Sequence, residues 1–301
     1  MTTERSTWLQ ERRKGIGGSD VAAILGLSPW RTPYQVWEDK TGRSEEQTET
    51  PAIYWGRLLE DPIRQAYADR TGLSVKKPDQ MFTSPDHPFM LANLDGIASD
   101  GRLVEFKTTS RGDGWGEEGT DEIPEYYQTQ VQHYMAVMGV ERTDVGVLIA
   151  GRDFRIYTVM ADIELQQMLI DEEAKFWELV QTDTPPEVTC AADAARRWRT
   201  ATAKKTIDAD ATLLSTWRDL CTVRAQMDDL KEREDELKAV LMDGMQDAVS
   251  LKSDGKTLAS WSLPSCRKTV DSKRLKDEFP EIYERVLKTG APQRTFRIYA
   301  Q

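Results

Sequence analysis

The stretch Leu94-Asp95-Gly96-Ile97-Ala98-Ser99-Asp100-Gly101-Arg102-Leu103-Val104-Glu105-Phe106-Lys107 decides how this chain is read. Asp100-Gly101 is a turn signal, and the residues on either side read as two short strands. Successive side chains of a strand point to opposite faces. Glu105 and Lys107 therefore project together, and Phe106 projects the other way. If the strands pair through the turn, Asp95 on the first lies close to Glu105 on the second. Two carboxylates beside a lysine form a site for a hard cation, with a proton handler or charge stabiliser attached. Mg²⁺ prefers carboxylate and water oxygens, and a metal so held activates water and neutralises a phosphodiester.

The chain has 301 residues, room for one large domain and a smaller one. Hydrophobic residues make up 39%, enough for a sizeable core, which excludes a wholly disordered chain. No apolar run of about 18 residues occurs, so no membrane span is expected. The opening Met1-Thr2-Thr3-Glu4-Arg5-Ser6 lacks the apolar core of a signal peptide. Cys190, Cys221 and Cys266 are too far apart for a metal spacing or a disulfide framework, and a reduced, cytoplasmic setting is expected. Net charge is -11, but it is unevenly spread. Residues 201–301 carry 18 Lys and Arg against 17 Asp and Glu, whereas residues 1–200 carry 22 against 34. An acidic nuclease remains possible if carboxylates gather at the metal site and basic residues line the DNA path.

Outward from the hairpin, the pattern predicts helices and strands in an α/β order. Ser19 and Asp20 are candidate caps for a helix over Val21–Leu25, and Thr32-Pro33 opens a second that ends at Gly42. A third spans Ile53 to Thr71 and stops at Gly72. Strands are expected at 73–83, 88–98 and 102–109, then a mobile loop over 110–123. A helix from Pro124 to Met138, strands at 144–150 and 153–160, and a helix from Asp162 to Gln181 complete the first domain. The expected fold is a mixed central sheet flanked by helices, over residues 1–185. Residues 186–207, starting at Pro186, read as a linker. Residues 208–301 read as an α+β extension with one long helix over 208–246 and strands at 256–262, 266–271 and 294–299. The long helix has a near-heptad apolar rhythm, read here as packing on its own domain in preference to a coiled coil.

Other residues carry chemistry only in company. Glu60 shares a helix face with Arg64, which is either an ordinary i,i+4 ion pair or a third carboxylate at the metal. Gln130 and Tyr134 share one face of their helix, either as plain surface or as an amide and phenol that orient water or phosphate. His133 reads as structural. Arg12 belongs to the triplet Arg12-Arg13-Lys14, a pattern that is usually solvated.

In order along the chain stand Trp8-x3-Arg12-x6-Ser19, Gly15-Ile16-Gly17-Gly18-Ser19-Asp20-Val21, Leu27-Ser28-Pro29-Trp30, Trp55-Gly56-x3-Glu60, Asp95-Gly96, Glu105-x-Lys107 and Gln130-Val131-Gln132-x-Tyr134. With these motifs the chain resembles the YqaJ-type viral recombinases, relatives of the phage lambda exonuclease within the PD-(D/E)XK nucleases. Leu94 takes the place of that superfamily's usual proline. The resemblance spans about residues 8–180 and implies a restriction-endonuclease-like core. It implies a Mg²⁺-dependent exonuclease, with Mn²⁺ as a substitute, that digests one strand of double-stranded DNA from the 5′ end. Asp95, Glu105 and the carbonyl of Phe106 would bind the metal, and Glu60 a second position or its water shell. Lys107 would orient or deprotonate the attacking water or stabilise developing charge, and Gln130 would hold the nucleophile side, with Tyr134 its helix partner. Arg12, Ser19, Asn93 and Arg111 would grip the 5′-phosphate, although Arg111 is spaced differently from Lys107 than in the lambda enzyme. The implied partners are double-stranded DNA ends, a single-strand annealing protein and further copies in a trimeric ring. The implied setting is the cytoplasm of a bacterial host, with a phage or prophage origin. The alternatives are an endonuclease of the same superfamily and a non-catalytic DNA-binding or annealing module.

Overall fold

The structure, a computed structural model, describes residues 10–44, 50–264, 269–288 and 294–299. It comprises two compact units, residues 1–197 and 198–301. Trp8 and Cys266 lie outside the described residues.

The first unit is built on a five-stranded mixed sheet of β2 (Val75–Lys76), β5 (Gly96–Ala98), β6 (Leu103–Thr109), β7 (Arg142–Ile149) and β8 (Asp153–Met160), in the order β2-β5-β6-β7-β8. The quoted stretch forms the β5–β6 hairpin, with Gly96 opposite Val104 and Ile97 opposite Leu103. Gly101 makes the turn at φ 89°, a conformation that costs glycine nothing. β6 then pairs in parallel with β7, and β7 antiparallel with β8.

Strand alternation divides β6 between two cores. Val104 and Phe106 face Ile63 and Tyr67 of α3 (Pro51–Thr71). Leu103 faces the other layer, with Val145 and Val147 of β7 and Val131, Tyr134 and Met135 of α4 (Glu125–Met138). Glu105 and Lys107 share the parity of Leu103, so they point toward α4. At roughly 25 cal/mol per Å² of apolar area, these two layers supply the main drive that holds the hairpin between the helices. They leave polar side chains only where α4 can satisfy them.

A smaller sheet, β1 (Ile16–Gly17), β4 (Met90–Ala92) and β3 (Phe82–Thr83), has β4 in the middle, parallel to β1 and antiparallel to β3. It seats α1 (Gly18–Ile24), α2 (Pro33–Lys40) and α5 (Ile163–Gln181) around Ile16, Val21, Trp37, Leu169 and Phe176. Thr32 caps α2 in a reciprocal box with Gln35, and Pro33 starts its first turn, as expected. For α1 the cap is Gly17, not Ser19. Asp20 sits at the third helical position, and its carboxylate accepts the Gly17 amide at 3.2 Å.

Other sequence expectations also give way. The segment 110–123 is anchored, because Trp115 is buried against Tyr127 and Tyr157. Tyr157 also donates to the Gly116 carbonyl at 2.9 Å. The expected linker 186–207 contains α6 (Ala191–Arg197), and the first unit extends to Arg197. Buried Asp193 accepts the Thr32 hydroxyl at 2.9 Å, and Arg196 pairs with Glu38 at 3.2 Å. These polar contacts hold α6 against α2.

The second unit contains α7 (Ala211–Met245), a hairpin of β9 (Ser250–Ser253) and β10 (Lys256–Ser260), and the short helices α8 (Ser272–Glu278) and α9 (Pro280–Val286). Asp210 caps α7 through the Leu213 amide at 2.8 Å. Residues 294–299 and 269–271 are not strands, and residues 265–268 lie outside the described ones. Among the described residues no helix is long and apolar enough to cross a membrane.

Candidate active site

The hairpin register continues one pair beyond Gly96–Val104 and sets Asp95 across from Glu105. Asp95 Oδ2 accepts the Phe106 amide at 2.9 Å. Glu105 Oε1 accepts Lys107 Nζ at 2.6 Å and Gln130 Nε2 at 2.7 Å. Lys107 also donates to Gln130 Oε1 at 3.0 Å and lies 4.5 Å from the centre of the Tyr127 ring. Gln130 Nε2 donates to the Tyr134 hydroxyl at 3.2 Å. One hairpin and two turns of α4 thus bring together Asp95, Glu105, Lys107, Gln130 and Tyr134.

The electrostatics are those of a cation site. Burial pushes the Asp95 carboxyl well above its usual range, and Glu105 pushes it further; Lys107 and the Phe106 amide oppose this without prevailing. Burial lowers Lys107, but Glu105 and Asp95 outweigh it and keep the amine charged. Burial, then Glu105 and Asp95, hold the Tyr134 phenol protonated. Burial and Glu105 thus favour the neutral form of Asp95 until a cation arrives; a divalent ion would let both carboxylates carry their charge side by side. The protein donors take Asp95 Oδ2 and Glu105 Oε1. Among the described residues the other oxygen of each carboxylate has no hydrogen-bond donor. An all-oxygen donor set of two carboxylates, completed by water, suits Mg²⁺ or Mn²⁺.

Not every expected residue joins this cluster. Glu60 is held by Arg64 four residues on and by Lys77. Its charge reaches Asp95 electrostatically, yet no three Asp, Glu, His or Cys side chains converge on one cation position among the described residues. Phe106 supplies its amide to Asp95 and its ring to the α3 core. Asn93 and Arg111 are both exposed, one ahead of Asp95 and one beyond β6, and neither is drawn into the cluster. His133 is structural, as read. It is fully buried between Glu173 at 2.8 Å and the Leu91 carbonyl at 3.0 Å.

A second cluster stands beside the first. Arg12 donates to Ser19 Oγ at 2.5 Å and pairs with Asp20 at 3.4 Å. Asp20 also receives Arg31 at 2.9 Å and Lys40 at 2.7 Å. Burial would raise Asp20, but Lys40, Arg12 and Arg31 hold it far below the usual carboxylate range. Asp39 pairs with Arg31 and with Arg13, each at 3.5 Å. Among the described residues, Arg12, Arg13, Arg31 and Lys40 thus gather around Asp20 and Asp39. Ser19 is exposed at its edge. The two clusters meet at Gly18, where an added Cβ would lie 2.6 Å from Tyr134 Cε1 and 3.0 Å from Gln130 Cγ.

Arg12 and Ser19 were legible as a pair. Arg31, Lys40 and Tyr127 were missed as members of the site. The signal available for Lys40 was a lysine in an amphipathic helix whose neighbours Val36 and Trp37 are core residues. Tyr127 falls three residues before Gln130, one turn along the same helix.

Comparisons with known proteins give the family. Residues 7–141 match the YqaJ-like viral recombinase domain. YqaJ of Bacillus subtilis (strain 168) is 36% identical over 297 residues, covering 94% of this chain and 91% of that protein. Protein D345L of African swine fever virus (strain Badajoz 1971 Vero-adapted) is 36% identical over 53 residues, 18% of this chain and 15% of that protein. Among solved structures, the alkaline exonuclease LHK-Exo of Laribacter hongkongensis shows 19% identity and a TM-score of 0.49, covering 60% of this chain and 94% of that one. A phage related exonuclease from Haemophilus somnus 129PT shows 14% identity and a TM-score of 0.43, over 56% and 96%. The near full-length match to YqaJ, together with the domain match over the residues that build both clusters, places the chain in the YqaJ-like viral recombinase family.

Proposed function

We propose that the protein is a divalent-metal-dependent exonuclease that digests one strand of linear double-stranded DNA from its 5′ end and supplies single strands for recombination. The observation that carries this reading is the adjacency at Gly18 of the Asp95–Glu105–Lys107 cluster, suited to a cation, and the Arg12–Ser19 pair, suited to a phosphate. An enzyme that starts at a DNA end needs both. An endonuclease needs only the first.

Asp95 and Glu105 would hold Mg²⁺ or Mn²⁺, with the Phe106 carbonyl as a further oxygen and Glu60 in the surrounding shell. The bound ion would supply an activated water and neutralise phosphate charge. Lys107 stays protonated beside Glu105 and Asp95, so it donates: it holds the attacking water or stabilises the charged phosphate oxygens. Gln130 positions Lys107 and Glu105 with a neutral amide that leaves the site's charge unaltered. Tyr134 keeps Gln130 in place as a protonated phenol. On the other side, Arg12 and Ser19 would receive the terminal 5′-phosphate, Arg12 by paired charged hydrogen bonds. Asn93 and Arg111 would add outer contacts to the backbone. The working assembly would be a trimeric ring around DNA in the host cytoplasm, acting with a single-strand annealing protein.

The test uses linear duplexes with 5′-phosphate or 5′-hydroxyl ends, and covalently closed circles, with Mg²⁺ or with chelator. Fast loss of the phosphorylated linear duplex, only with the metal, supports the reading. Cleavage of closed circles would make the enzyme an endonuclease. No cleavage of any substrate would leave a binding module.

A further inference from the structure

The long helix α7 carries a seven-residue pattern that none of the described residues of its unit covers. Leu213, Leu220, Met227, Glu234 and Leu241 recur at one heptad position, and Val223, Leu230 and Leu237 at the position three further on. Leu213, Val223, Met227, Leu230, Leu237 and Leu241 are all exposed. An uncovered seam of this length is costly to leave in water and marks an interaction surface.

The charges flanking the seam say what covers it. Arg224, Lys231 and Lys238 run along one flank at seven-residue spacing, at the position that faces a partner's flank in a coiled coil. Two copies of α7 pair poorly. A parallel pair in register sets Glu234 against Glu234 inside the seam and Arg233 against Lys238 beside it. An antiparallel pair sets the basic flank against itself. Lys238 satisfies Glu234 only within its own helix, at 2.6 Å.

We propose that the α7 seam docks an amphipathic helix of another protein, one with apolar seam residues, acidic residues along its flank and a basic residue opposite Glu234. This site is separate from the nuclease cluster, and the inference holds whether or not that reading does.

Two synthetic 35-residue helices test it against the full-length protein. Both carry leucine at the seam positions and one lysine to meet Glu234; one has glutamate on both flanks and the other lysine. By fluorescence anisotropy at low salt, the glutamate peptide binds at least about tenfold more tightly, and the preference shrinks as salt screens the flanks. Lys231→Glu with Lys238→Glu changes only exposed residues, so the fold survives; it reverses the preference while DNA digestion stays unchanged. Equal affinity for both peptides, binding of neither, or an unaltered preference in that variant would overturn the proposal. So would self-association by light scattering that Leu230→Asp with Leu237→Asp reduces, since the occupant would then be a second copy.

Discussion

Two clusters of opposite chemistry meet across Gly18. In one, the Asp95 and Glu105 carboxylates converge beside a single ammonium, Lys107; in the other, Arg12, Arg13, Arg31 and Lys40 gather on Asp20 and Asp39. Tyr134 feels both: Glu105 and Asp95 raise its phenol, and Arg12 lowers it. Carboxylates on one side of a single side chain and cations on the other fit a ligand that is itself divided, a phosphate chain with its bound cation.

The comparison breaks most sharply at the acidic corner. Asp95→Asn or Glu105→Gln should lower DNA digestion by on the order of 10³-fold, because either removes a charge that would hold the metal. Circular dichroism should show an unchanged fold. Rates like those of the wild type in Mg²⁺ would remove this corner from the chemistry.

At the basic corner the first effect is on stability. Lys40 and Asp20 are both fully buried, so Lys40→Met leaves Asp20 with two guanidinium partners and should cost about 3 kcal/mol in denaturant unfolding. A neutral result would mean that Arg12 and Arg31 suffice for Asp20. Arg12→Ala should act on specificity. It should slow digestion of 5′-phosphorylated ends by about 10-fold, the weight of one charged hydrogen bond, and leave 5′-hydroxyl ends untouched. Equal losses on both ends would place Arg12 elsewhere than at the terminal phosphate.

The smallest effect concerns the scaffold between the corners. Burial lowers His133, but Glu173 and the Leu91 carbonyl outweigh it, so the folded protein holds the proton more tightly than the unfolded chain. The stabilisation this gives is complete below the ordinary histidine value of about 6.5 and is lost as pH rises through the higher folded value. Melting temperature should therefore decline on the alkaline side in the wild type and run flatter in His133→Gln. A matching decline in the variant would assign the effect to other groups.

The acidic corner was readable because one local rule, strand alternation around an Asp-Gly turn, carries Asp95, Glu105 and Lys107 together within thirteen residues. Gln130 needed only a helix period. The basic corner draws on α1, α2 and the segments before them, and no local period relates Arg12, Arg31 and Lys40. Glu60 kept both of its readings: the i,i+4 contact to Arg64 is present, and its charge also reaches Asp95. The loop at 110–123 looked mobile from its glycines and charges, but a single buried Trp115 outweighs them. Tertiary burial of one aromatic ring is invisible to composition.

The bare Cα of Gly18 makes the distance between the corners a hard stop. Any side chain there would strike Tyr134 at 2.6 Å and push the two apart. The spacing of the two corners is thus set by contact and not by loop length, and under the proposed function it would fix how far the gripped phosphate lies from the bond that is cut.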